Sequence, residues 1–306
     1  MTMLGPGAPL PGIFFWVRAI LVLLYVGVPV LLVGTEVLWA ARRARLDASA
    51  GLARRARVAR LAGLAAGVMA GVLAIWLGQE LLAPAGVAAG YLLGLLTGEL
   101  LWVPAPTGPL RVAPLQTRYV RRYIPRWSVP VLLSAGVLAI AVPIVLTMLP
   151  TVRYGPFHPD ALDAPQIILP GGALQWPAAA CVPPAALAVL ALAVGGIALR
   201  RVVLLPPIAV EQPGVDECAR RNSARAVIAA VLAIELFVLG AQATLASNGV
   251  AVPGPVGGRP YLIWRILVWC GYGLPIVGVL VWCVLGWWKR LVVEPPAAAP
   301  AGPAAA

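Results

Sequence analysis

Residues 226–246 read AVIAAVLAIELFVLGAQATLA. This run is apolar on nearly every face, and at 1.5 Å per residue about 20 residues of helix cross the roughly 30 Å hydrocarbon core of a bilayer. A helix on the surface of a soluble protein would carry a polar face beside its apolar stripe. A single glutamate, Glu235, interrupts the run close to its middle. It is the first residue in the chain that needs a chemical explanation.

Six further runs share that length and character: 13–39, 61–82, 84–103, 128–149, 178–199 and 261–287. Across all 306 residues 61% are hydrophobic and 11% charged, against about 25% charged in ordinary soluble domains. Mean hydropathy is +0.92, which excludes a soluble globular protein. The expected fold is all-α: a polytopic transmembrane helical bundle of seven spans, forming one domain over 1–292. The tail 293–306, VEPPAAAPAGPAAA, is too poor in large apolar groups to bury a core and reads as disordered. Residues 1–12 carry no basic group and no small-residue cleavage site stands out after the first run, so that run reads as a retained helix.

The basic residues set an orientation. Between the first and second runs lie Arg42, Arg43, Arg45, Arg54, Arg55, Arg57 and Arg60. The gaps 104–127 and 200–225 hold five arginines each, and Lys289 and Arg290 follow the last run. The alternate gaps hold only Arg153 and Arg259. By the positive-inside rule the N-terminus is outside and the C-terminus inside, in a bacterial cell membrane whose anionic headgroups are the nearest acidic partner. The basic clusters have no exposed domain to sit on, so nucleic acid is not an expected partner. A retinal protein would need a lysine near the middle of the last span, but Lys289 lies beyond it, and no DRY or NPxxY motif is present.

The near-exclusive use of Arg over Lys, the Ala/Gly/Pro-rich composition and the segment GELLWVPAPTGPLR at 98–111 resemble uncharacterised multi-pass integral membrane proteins of high-GC, actinobacterial-type bacteria. That resemblance implies the structural class and brings no activity or site residues.

Glycines mark where helices approach. The third span places Gly86, Gly90, Gly94 and Gly98 at successive i+4 positions, and the second places Gly63, Gly67 and Gly71 likewise. Joined by a short outer turn at 82–84, the two are expected to pack antiparallel and glycine to glycine. A partner protein or a second copy of the chain is the other use of such faces. Prolines fall inside spans at Pro29, Pro143 and Pro275. The last belongs to CGYGLP, where Gly271, Gly273 and Pro275 are expected to loosen or unwind a turn and form a hinge, as broken helices do near transporter sites.

Charged groups inside spans are costly, about 2.5–3.5 kcal/mol at the helix centre. Arg18, Glu36, Glu80 and Glu99 lie near span ends, where they snorkel or pair, Arg18 with Glu80 being one such pair. At the centre a carboxyl such as Glu235 must hold a proton, meet a cation or face water. Arg265 is its nearest cationic candidate along the chain, and Glu80 a further polar group. Outside the spans, Arg118, Arg121 and Arg122 with Tyr119, Tyr123 and Trp127 suit the headgroup level.

Cys181, Cys218, Cys270 and Cys283 have no metal-ligand spacing, and His158 is the sole histidine, beside Asp160 and Asp163 in the loop 150–177. No metal or cofactor is expected, and no catalytic residue is assigned, because no P-loop, HExxH, GxSxG or paired acidic motif occurs. The leading expectation is a non-catalytic structural or accessory membrane subunit. The alternative is a transporter or permease-like protein with Glu235 as a proton- or cation-binding carboxylate.

Overall fold

The computed structural model describes residues 50–77, 80–101, 123–148, 178–204, 213–249 and 259–285. These form six α-helices: α1 (Ala50–Trp76), α2 (Ala83–Leu101), α3 (Ser128–Met148), α4 (Ala178–Leu204), α5 (Pro213–Gly249) and α6 (Arg259–Cys283). A 3₁₀ turn at Glu80–Leu82 precedes α2, and no strand occurs among the described residues. Five stretches are long and apolar enough to cross a membrane: Val58–Trp76, Ser128–Val145, Val182–Leu204, Arg220–Ala246 and Arg265–Cys283. In α2 the apolar part, Ala83–Gly98, is shorter. The expected first span at 13–39, the loop residues His158, Asp160 and Asp163, the headgroup residues Arg118, Arg121 and Arg122, and the tail lie outside the described residues.

Several boundaries differ from expectation for physical reasons. The run 226–246 is the apolar part of a much longer helix, because α5 begins at Pro213. Proline suits a first helical turn, where its missing N–H would have no partner, and the polar turns that follow are built from residues such as Ala, Glu and Arg, which tolerate helix. One of them carries an i,i+4 ion pair, Arg221 to Glu217 at 2.8 Å. Together with the extension of α4 to Leu204, this turns most of the expected linker 200–225 into helix. At the other end of the first hairpin, α1 stops at Trp76 rather than near Leu82. The chain reverses through Glu80–Leu82, leaving Pro84 in the first turn of α2, so the turn lies earlier than expected.

At the start of α3 the chain is fixed locally. Ser128 donates both its backbone N–H, at 3.1 Å, and its hydroxyl, at 2.6 Å, to the Pro125 carbonyl.

The helices are not equivalent. In α5 89% of the stretch Arg220–Ala246 is buried, against 22–28% for the four other membrane-length stretches. The central helix is therefore α5, with α2, α3, α4 and α6 packed on it and α1 on the far side of α2. Large apolar groups such as Met69, Leu73 and Trp76 on α1 and Leu133 and Val137 on α3 remain exposed, as lipid-facing surfaces do.

Glycines seat the neighbours. Gly195 of α4 receives the Val231 side chain, and a Cβ on Gly240 would lie 2.6 Å from the Pro275 ring. Gly271 receives Thr244, and Gly278 stands against the Phe237 ring, where a Cβ would come within 3.0 Å. Both α4 and α6 thus run antiparallel to α5. The α1–α2 pair is closer still. A Cβ on Gly63 would stand 2.5 Å from the Gly90 carbonyl oxygen, one on Gly67 2.5 Å from the Val87 carbonyl oxygen, and one on Gly94 2.6 Å from that of Ala59. Gly90 faces the Gly67 backbone directly, and Gly86 meets Gly71 at ordinary contact distance. Gly98, one turn beyond Gly94, is half-buried.

Candidate functional site

Membrane helices lack a hydrophobic drive to associate, so polar side chains in their core are few and each needs a role. Two occur side by side on α5. Glu235 is 0% exposed and Gln242 1%. Seven residues at 100° each return to within about 20° of the same direction, so both lie on one stripe of the helix, about 10 Å apart along its axis.

That stripe faces the seam between α3 and α4. Gln242 donates from Nε2 to the Ala139 carbonyl of α3 at 2.7 Å. Val231, one turn before Glu235 and about 40° from it around the helix, is the side chain seated on Gly195 of α4. The α6-facing residues Phe237, Gly240 and Thr244 lie on the opposite side. Counting from these contacts, Glu235 stands level with Leu132–Gly136 of α3 and with Ala191 of α4. The residues there are small, Ala135 at 8% and Ala191 at 3% exposed.

Glu235 Oε1 and Oε2 and Gln242 Oε1 have no hydrogen-bond partner among the described residues. All three are acceptors unless Glu235 is protonated. Leaving such groups unmet in an apolar core costs about 1–3 kcal/mol each. The arrangement therefore suits a donor species: a proton on the carboxyl, a bound water or a cation. Tyr91 of α2 also has an unpartnered hydroxyl among the described residues, and its ring packs at a tilt against Trp282 of α6, centroids 5.3 Å apart.

The expected partner of Glu235 is corrected. Arg265 is exposed, and the α5–α6 register puts Gly278 beside Phe237, so Arg265 lies about 20 Å farther along the axis. No side chain spans that gap. Glu80 sits in the 3₁₀ turn, while its side chain and Arg18 lie outside the described residues. The expected unwinding at Gly271–Pro275 does not occur either, because α6 is helical throughout, with Pro275 inside it. The freed space is taken by α5: Thr244 fills the notch at Gly271 and Gly240 accommodates the Pro275 ring, while Gly273 has nothing within 4 Å of an added Cβ.

Two features were not singled out by sequence reasoning. Gln242 had a signal, its i,i+7 spacing from Glu235. Arg220 had none, looking like any loop arginine, yet it is 4% exposed and donates to the carbonyls of Val202 at 2.8 Å and Val203 at 3.4 Å. A small apolar cluster of Tyr123, Ile124, Val202, Val203, Ala224 and Ile228 closes over that end of the bundle.

No protein family, curated protein or solved structure matches this chain.

Proposed function

We propose that this is a transporter or permease-like protein of a bacterial cell membrane, in which Glu235 is the proton- or cation-binding group. One observation carries the reading: a carboxyl wholly buried in the central helix, near the middle of its apolar stretch, with both oxygens unpartnered among the described residues. An unmatched carboxyl is costly to keep, and nothing in the surrounding packing requires one. The accessory-subunit reading drew on the glycine faces, the small loops and the scarcity of other polar groups in spans; of these, the glycine faces of α1 and α2 are taken up by each other.

In this proposal the chain crosses seven times, N-terminus outside and C-terminus inside, with the Arg-rich segments on anionic headgroups. Impermeant thiol reagents applied to intact cells should fail to label cysteines placed at 42–60; labelling there reverses the topology. For the function, wild type and Glu235→Gln are purified in lipid nanodiscs without detergent and their bound molecules identified by mass spectrometry. A small molecule lost only in Glu235→Gln supports the reading. A protein retained in equal amount by both makes the chain an accessory subunit and Glu235 structural.

A further inference from the structure

The polar stripe on α5 is one-sided. From Glu235 toward the N-terminal end the residues facing α3 and α4 are Val231, Ile228 and Ala224, all at most 3% exposed. The next polar side chains on that side are Arg225, off the stripe, and then the buried Arg220, about 22 Å from Glu235 along the helix. That end is further closed by Tyr123 and Ile124 packed on Val202, Val203, Ala224 and Ile228. Toward the C-terminal end the stripe continues with Gln242, whose Oε1 is unpartnered and which lies about 10 Å from the end of the helix at Gly249.

The two helices that face Glu235 offer nothing that titrates at its level. Neither α3 nor the part of α4 between Cys181 and Arg200 contains a charged or titratable residue. Cys270, Tyr272 and Cys283 stand on α6, which packs on the opposite side of α5 through Phe237, Gly240 and Thr244, and Tyr91 of α2 has its ring against Trp282 of that helix. Among the described residues no three of His, Cys, Asp and Glu gather to hold a metal. A proton needs only the carboxyl and one neighbouring donor or acceptor, and Gln242 is the one buried polar side chain on its stripe.

The geometry points to a proton on Glu235 that exchanges only with the C-terminal end of α5, passing through Gln242 and water held in the α3–α4–α5 seam, while the apolar layer of Val231, Ile228 and Ala224 seals the other end. Gln242 is fixed at one end by its bond to Ala139 O, which leaves Oε1 to accept from a water and orient it between the carboxyl and the helix end. A short file of waters along the stripe would have the Gln242 amide oxygen and the Glu235 carboxyl, both unpartnered among the described residues, as its polar partners. This inference rests on reading Glu235 as the proton- or cation-binding group.

The test is infrared spectroscopy of the full chain in nanodiscs on exchange from H2O to D2O buffer. Wild type should show a protonated-carboxyl C=O band that is missing in Glu235→Gln, and its deuterium shift reads the exchange rate. Gln242→Met, similar in volume but without the amide, should slow that shift about tenfold, the effect of losing one hydrogen-bonded relay group. Ile228→Ala, on the sealed side and without a polar group to lose, should not slow it. If Gln242→Met fails to assemble, Gln242→Asn, which withdraws the amide by one methylene, carries the same expectation. Equal rates in wild type and the Gln242 variant overturn the route, as does slowing by Ile228→Ala. Absence of any Glu235-dependent band in wild type overturns instead the proton reading beneath it.

Discussion

The Arg220 guanidinium reaches from α5 to the last turn of α4 and donates to the Val202 carbonyl at 2.8 Å. The final carbonyls of a helix have no intrahelical partner, and a cation there also meets the negative end of the helix dipole. Burial makes the contact matter, since water reaches neither group freely. Arg220→Ala is expected to destabilise the bundle by about 1–3 kcal/mol, seen as a lower melting temperature in detergent. The adjacent Arg221→Ala removes an exposed i,i+4 pair and should cost under about 0.5 kcal/mol. Equal losses for the two variants would make Arg220 an ordinary interfacial arginine.

The α1–α2 contact makes a graded prediction. A Cβ on Gly90 or Gly67 meets backbone atoms of the partner helix, which move only if the helices separate. Even Gly90→Ala should therefore destabilise, by about 1–3 kcal/mol as an overpacking change, and Gly90→Leu should abolish assembly. Gly196→Ala on α4, with nothing within 4 Å of the added carbon, should be neutral or stabilising by about 0.5–1 kcal/mol through helix propensity. Thermal unfolding of the three variants side by side checks the gradient. Tolerance of Gly90→Ala would mean that α1 and α2 do not touch through their glycines.

How far the sequence carries varies with the physics involved. Helix class was legible because bilayer thickness fixes span length, and the glycine spacing of Gly63, Gly67 and Gly71 against Gly86, Gly90 and Gly94 announced a close face because i+4 repeats stay on one side of a helix. Which helix is central was not legible: the membrane-length stretches have mean hydropathies of 2.0–2.3, yet burial differs from 22% to 89%. Lipid and protein core are equally apolar, so hydropathy cannot tell them apart. Register was hidden for the same reason, which is why Arg265 looked near Glu235 when it lies far along the axis. The start of α5 escaped because the turns between Pro213 and Arg220 are polar helix, where apolarity carries no signal.

In α6 the sequence GYGLP suggests a break, while the helix runs through it and Gly240 seats the Pro275 ring. Gly273 is unoccupied around its Cβ position, so Gly273→Ala should raise the melting temperature slightly, by about 0.5–1 kcal/mol of stability. Gly271→Ala would push on Thr244 and should lower it. Should Gly273→Ala instead leave stability unchanged and reduce whatever small-molecule binding is lost in Glu235→Gln, the segment is a working hinge rather than a packing seat.

Glu235 offers the sharpest separation of stability from function. Its carboxyl lies in a core of alanine, valine and leucine with no protein partner among the described residues, so the fold gains nothing from the oxygens and bears their desolvation. Replacement of a buried polar group by an apolar one of similar volume is often neutral or stabilising. Glu235→Leu is therefore expected to melt at or above the wild-type temperature, by up to about 2 kcal/mol of added stability, while losing whatever small-molecule binding or proton exchange wild type shows. Thermal unfolding in nanodiscs, paired with mass spectrometry of the bound molecules, reads both quantities from one preparation. A variant that melts lower by a similar amount would show that Glu235 holds the bundle together, and the functional reading would fall with it.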